Sequence, residues 1–203
     1  LKTLYKNVAL GLDTLYNLYP ESEWFGYLDY DCLVASNQIL STLEKASHEK
    51  VWLLGNDGRI DLEPLHLIED IIGAKLEHRY KMLGCCLFFH KEFMLKLQSI
   101  NFFKTLLEKT SLLEEVVGFN GYDISEHIYP SLVRHYGQNL GVMTSWFEES
   151  WHGNYRVYPI RFRPLLTEAD NFPEASILHP VKGFNNPIRV ARRKERCLKN
   201  QKS

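Results

Sequence analysis

Long apolar runs are missing from this chain of 203 residues. The longest, around Met82 to Phe89, is far short of the roughly 18 residues that a membrane-spanning helix needs, so none is expected. The first residues do not read as a secretory leader, and no heptad or collagen-like repeat points to a fibrous protein. Net charge is only -1, so no overall excess of one sign dictates a polyanionic or polycationic partner. Cysteine is scarce: Cys32, Cys85, Cys86 and Cys197 have no zinc-like spacing. They read as small buried hydrophobes in a reducing setting, cytoplasmic or membrane-peripheral, rather than as a disulfide framework. There is no Gly-x-Ser-x-Gly elbow and no Gly-rich phosphate loop, which sets aside serine hydrolases and P-loop nucleotide hydrolases.

What is present is a composition that packs. Hydrophobic residues make up 45%, charged residues 24% and aromatics 13%, which predicts one folded domain with substantial strand and a lined pocket. Charge is unevenly placed. Lys182 to Ser203 holds eight Lys or Arg and one acid, a net of +7, which leaves -8 on residues 1–181. Such a basic tail, residues 185–203, suits either a solvated end or contact with an anionic surface. The chain starts with Leu, not Met, which predicts that it is a piece of something longer.

Periodicity supplies the elements. Leu4, Tyr5, Val8, Leu12 and Leu15 predict a helix ended by Tyr19-Pro20. Trp24 to Leu28 predicts a strand buried on both faces. A helix capped by Ser36 runs to Ala46, a short strand covers 51–54, and Asn56-Asp57-Gly58 reads as a turn. A helix is expected over 63–76, weakened at Gly73. Leu83 to Phe89 is a strand, with Cys85 and Cys86 pointing to opposite faces. Helices follow over 91–97 and 102–116. A further helix runs from Asp123 to Tyr136 despite Pro130, stopped by Gly137. Strands at 141–144, 155–163 and 176–178 complete an α/β domain with a mixed, mainly parallel sheet flanked by helices.

Three groups could carry chemistry. Asp29 and Asp31, at i and i+2 after a buried strand, lie on one side of an extended backbone, roughly 7 Å apart at ~3.3 Å per residue. Two acids so placed repel, and a divalent cation such as Mn2+ or Mg2+ removes that penalty. His179, after the apolar run Ser176-Ile177-Leu178, can complete such a site, and Lys182 and Gly183 suit a phosphate. Asp123, opening a helix with Glu126 three residues on, matches a capping box in spacing and also offers a general base. Each has a purely structural reading: an acidic strand exit, a surface histidine, a helix cap. Trp146 and Trp151-His152-Gly153 suit sugar stacking or a packed loop.

In this order the pieces resemble nucleotide-sugar-dependent glycosyltransferases of the GT-A fold. Trp24-Phe25-Gly26-Tyr27-Leu28-Asp29-Tyr30-Asp31 is similar to the segment ending in that family's metal-binding DxD. Tyr80 to Leu97 is similar to its strand and helix beside the acceptor and donor sugar, where Gly84 falls. Gly121-Tyr122-Asp123 looks like its acidic helix start, and Leu178-His179-Pro180-Val181-Lys182-Gly183 like its late histidine. The resemblance covers residues 3–184 and implies a catalytic domain over 1–184. It implies Asp29, Asp31 and His179 on Mn2+ or Mg2+, with Lys182 and Gly183 at the diphosphate of a nucleotide-sugar donor. Asp123 or Glu126 would be the base for a carbohydrate or glycoconjugate acceptor, with Gly84, Trp151 and His152 in the cleft. One departure stands out. The family's nucleotide-binding βαβ portion of roughly 70–100 residues precedes the DxD, whereas 28 residues precede Asp29, so that portion is expected to be missing. The competing expectations are a non-catalytic glycosyltransferase-like binding or regulatory module, a nucleic-acid or lipid binder using the basic tail, and a hydrolytic metal enzyme.

Overall fold

A computed structural model describes residues 4–34, 37–57, 69–70, 72–76, 80–109, 121–144, 160–162 and 177–179. In chain order the elements are α1 (Leu4–Leu18), β1 (Trp24–Leu28), β2 (Leu33–Val34), α2 (Gln38–His48), β3 (Val51–Asp57) and β4 (Met82–His90). They continue with α3 (Lys91–Ser99), α4 (Phe102–Glu108), α5 (Gly121–His135), β5 (Asn139–Thr144), β6 (Ile160–Phe162) and β7 (Ile177–His179).

Four strands form one open sheet in the order β1-β4-β3-β5. β4 runs antiparallel to both β1 and β3, while β3 and β5 are parallel. A second sheet has the order β2-β7-β6, with β2/β7 antiparallel and β7/β6 parallel. The domain is therefore α/β with a mixed sheet, but the expectation of mainly parallel pairing gives way. Alternation of helices and strands in sequence does not fix strand direction. Asp57, the last residue of β3, pairs with Met82, the first of β4, so β4 starts at the end of the sheet where β3 stops and runs back antiparallel to it.

Helices cover both faces of the four-stranded sheet. On one side Tyr5, Val8, Ala9 and Leu12 of α1 meet Phe93, Leu97, Phe102, Leu106 and Leu132, over Leu53, Leu87 and Phe89 of the sheet. The 3–4 residue spacing of the α1 contacts is that of one helical face. Phe89 sits at the centre, with ring contacts to Phe93 and Tyr129. On the other side Ile39 and Ala46 of α2 cover Val51, Leu54, Cys86, Phe88 and Met143, and Ile177 of β7 joins them. Phe88 and Phe89 thus serve opposite layers, as a pleated strand requires.

α2 begins after Asn37, not Ser36, and Asn37 makes no side-chain cap bond. Asn56-Asp57 is not a turn. Both residues lie in β3, held by ladders to Leu83 and Met82 on one side and, for Asn56, Thr144 on the other. α5 keeps Pro130 inside it. It ends as expected at Gly137, whose φ is +68°. There the Gly137 N–H donates to the Arg134 carbonyl and the Gln138 N–H to the Val133 carbonyl, the paired bonds of a Schellman stop. The helix over 63–76 and the far end of that over 102–116 lie largely outside the described residues, as does most of the strand over 155–163. Among the described residues no helix is long and apolar enough to cross a membrane.

Candidate metal centre and its acidic flank

β1 leads directly into the candidate site. Its last pair is Leu28 with Cys86, and the Asp29 N–H continues the ladder by donating to the Cys85 carbonyl at 3.0 Å. The chain then turns. The Cys32 N–H donates back to the Asp29 carbonyl at 2.9 Å, closing a four-residue turn over Asp29-Tyr30-Asp31-Cys32. This differs from the extended backbone expected for the two acids. The turn leaves Tyr30 at the tip, 82% exposed, and folds Asp31 inward to 5%.

The third member arrives through the small sheet. β2 follows the turn, and β7 pairs with it as Leu33↔Leu178 and Val34↔Ile177. One step further along that ladder sets His179 beside the turn. Its Nε2 lies 3.2 Å from Asp31 Oδ1 and 3.9 Å from Asp29 Oδ2. One ligand atom from each of Asp29, Asp31 and His179 falls within 4.8 Å of the others, a spacing that could hold a metal ion. The donor set, two hard carboxylates and one imidazole, is one that divalent cations take. Tyr27, two residues before Asp29 on the same strand face, donates its hydroxyl to Asp29 Oδ1 at 2.8 Å. Burial raises the Asp29 carboxyl above its usual range. The Tyr27 hydrogen bond and the nearby His179 pull it back down, and Asp31 adds to the rise.

β4 connects this turn to α5. Its register against β3 jumps from Gly55↔Leu87 to Asn56↔Leu83, so Gly84, Cys85 and Cys86 bulge away from β3. Bulges free backbone groups for other partners. The Cys85 carbonyl takes the Asp29 N–H and also the Cys32 thiol at 3.1 Å. The Gly84 N–H donates to Glu126 Oε1 at 2.7 Å. Glu126 Oε2 lies 3.5 Å from Lys81 Nζ, with the two side chains 13% and 8% exposed. Asn56 Nδ2 donates to the Cys85 sulfur at 3.4 Å. Burial, foremost, pushes the Cys85 thiol well above its ordinary range. The bulge also corrects the expectation for the cysteine pair: Cys85 and Cys86 join the same apolar cluster rather than opposite faces.

Of the residues singled out from sequence, Asp29, Asp31 and His179 thus come together, and Gly84 meets Glu126. Asp123 lies inside α5, one turn before Glu126, and not at a cap position. Glu126 faces β4, so the capping-box reading of this pair loses its geometry. Lys182, Gly183, Trp151, His152 and the basic tail lie outside the described residues. Lys81, Tyr27 and Asn56 were not singled out. For Tyr27 the signal was present, since i and i+2 share a strand face. A buried Lys81 has no signature in sequence. Searches against protein-family models and against curated proteins find no match to this chain.

Proposed function

We propose that the chain is a metal-dependent glycosyltransferase, built on a GT-A-like domain, which moves a sugar from a nucleotide-diphosphate donor to an acceptor hydroxyl. The observation that carries this reading is the convergence of Asp29 and Asp31, on the turn after β1, with His179 from a distant strand. The order of the motifs and the acidic helix start beside the bulge support it.

Asp29, Asp31 and His179 would hold a divalent cation, Mn2+ or Mg2+. When bound, that cation supplies Lewis-acid neutralisation of the diphosphate as it leaves. Tyr27 orients the Asp29 carboxylate through its hydroxyl. Lys182 and Gly183, outside the described residues, would supply positive charge and a hydrogen-bond donor to the diphosphate, as the resemblance implies. Asp123, in the first turn of α5, takes the proton of the acceptor hydroxyl. Trp151 and His152 offer faces for the sugar.

The test is thermal denaturation with Mn2+ and a panel of uridine- and guanosine-diphosphate sugars, followed by assay for released nucleoside diphosphate. A ligand bound only by the folded state must raise the melting temperature. The expected result is a donor-dependent rise that needs Mn2+ and disappears in Asp31→Ala. Asp123→Asn should keep donor binding and lose turnover. No stabilisation by any donor with Mn2+ present would remove the transferase reading.

A further inference from the structure

We propose that Glu126 is a positioning residue for the Asp29–Asp31–His179 group, acting through the β4 bulge, and does not transfer the proton itself. This rests on the metal reading above for its functional consequence, but the mechanical link is independent of it.

Both Glu126 oxygens already have work. Oε1 accepts the Gly84 N–H at 2.7 Å, and Oε2 faces the buried Lys81 ammonium at 3.5 Å. Gly84 is the residue that allows this approach. A Cβ there would stand 3.2 Å from both Cγ and Oε1 of Glu126. The Gly84 N–H and the Cys85 carbonyl belong to consecutive residues of one bulge. That carbonyl anchors the Asp29–Cys32 turn at both ends, through the Asp29 N–H and the Cys32 thiol. Asn56 holds the Cys85 sulfur from β3. The β1 ladder still holds Cys86 from one edge, but towards β3 the bulged backbone has no ladder, so on that side its place is set by these side chains. Loosening Gly84 therefore moves the carbonyl on which the two acidic side chains hang. Hydrogen-bond partners of metal ligands commonly govern affinity, and Glu126 acts one step further out, through the Gly84–Cys85 backbone.

The experiment uses the whole chain with Glu126→Ala, Glu126→Gln and Gly84→Ala. Mn2+ affinity is read by the free-ion paramagnetic signal, and amide exchange at Gly84 and Asp29 by NMR relative to the core amide of Leu53. Gln keeps the oxygen that accepts from Gly84; Ala does not. Glu126→Ala is expected to weaken Mn2+ binding about 10-fold and to speed exchange at Gly84 and Asp29 selectively. Glu126→Gln is expected to stay within about twofold of the parent in both. Gly84→Ala, whose Cβ would press on Cγ and Oε1 of Glu126 at 3.2 Å, should shift Mn2+ affinity and Asp29 exchange in the same direction as Glu126→Ala, by less, and serves if that variant does not fold. Unchanged affinity and unchanged Asp29 exchange in Glu126→Ala would overturn the proposal. So would a Glu126→Gln protein with parental affinity and exchange but with turnover down about 100-fold, the mark of a proton-transfer group. If the parent chain itself binds no Mn2+, the metal reading fails, and the exchange measurement alone decides the link.

Discussion

Lys81→Met isolates a nearly buried charge pair beside the site. Lys81 and Glu126 lie 3.5 Å apart with side chains 8% and 13% exposed. At an effective dielectric of about 20, unit charges at that distance attract by about 5 kcal/mol. Removing both ions from water offsets much of that gain, so the pair as a whole contributes little net stability. Taking away only the ammonium is different, because it leaves the carboxylate buried beside an apolar methionine. Such truncations cost about 3–5 kcal/mol. For a chain of 203 residues, that lowers the melting temperature by roughly 6–20 °C, at about 2–4 °C per kcal/mol. The double variant Lys81→Met/Glu126→Gln removes both charges and keeps an oxygen for the Gly84 N–H. It should recover all but about 1 kcal/mol. Urea unfolding at constant slope measures both. A loss under about 1 kcal/mol in Lys81→Met would mean that the pair behaves as a solvated surface contact. A double variant no better than the single would show that charge is not what the carboxylate needs. Either result refutes the reasoning.

Two further predictions concern a surface carboxylate and the cysteines. Glu23 is held below its usual carboxylate range, first by a hydrogen bond to Ser47 and then by nearby His90 and Lys91. Its folded-state value is depressed, so its stabilisation is present in full above the ordinary carboxylate value and is lost as pH falls through the lowered one. Ser47→Ala should therefore melt lower than the parent at neutral pH, with the gap closing in acid; a gap that widens in acid contradicts the assignment. In a Cys197→Ser background, Cys85 and Cys86 should resist a thiol reagent until the chain unfolds, because burial raises both thiols. Half-buried Cys32 should react first and slowly; rapid labelling of all three in the native protein would count against the burial described.

The sequence disclosed whatever depended on local spacing. The α1 face, the span of β1, the Gly137 stop and the tolerance of α5 for Pro130 all follow from short-range pattern, but β1 is an edge strand on which only Phe25 is buried, not a strand buried on both faces. Pairing between distant segments was not disclosed. Asn56-Asp57 has turn composition, yet ladders from β4 on one side and β5 on the other hold Asn56 in β3. Cys85 and Cys86 obey alternation only if the strand is regular, and the bulge against Gly55 and Asn56 breaks it. Asp29 and Asp31 were visible as a pair, but not the turn that brings them closer than an extended chain allows. His179 was visible as a residue type of interest. Its nearness to Asp31 depends on the two-residue ladder of β2 with β7, which no local pattern encodes. Glu126 looked like half of a helix cap because spacing along the helix was all that could be read; its partners lie on β4.

The proposed function requires two acids on one turn and an imidazole from a remote strand to share a single divalent ion. Its most direct measurement is titration of the chain with Mn2+ by the free-ion paramagnetic signal, set beside Asp31→Ala and His179→Ala proteins that keep the parental circular dichroism. One ion should bind per chain, with affinity falling by more than about tenfold in each variant. Equal Mn2+ affinity in all three proteins would contradict it.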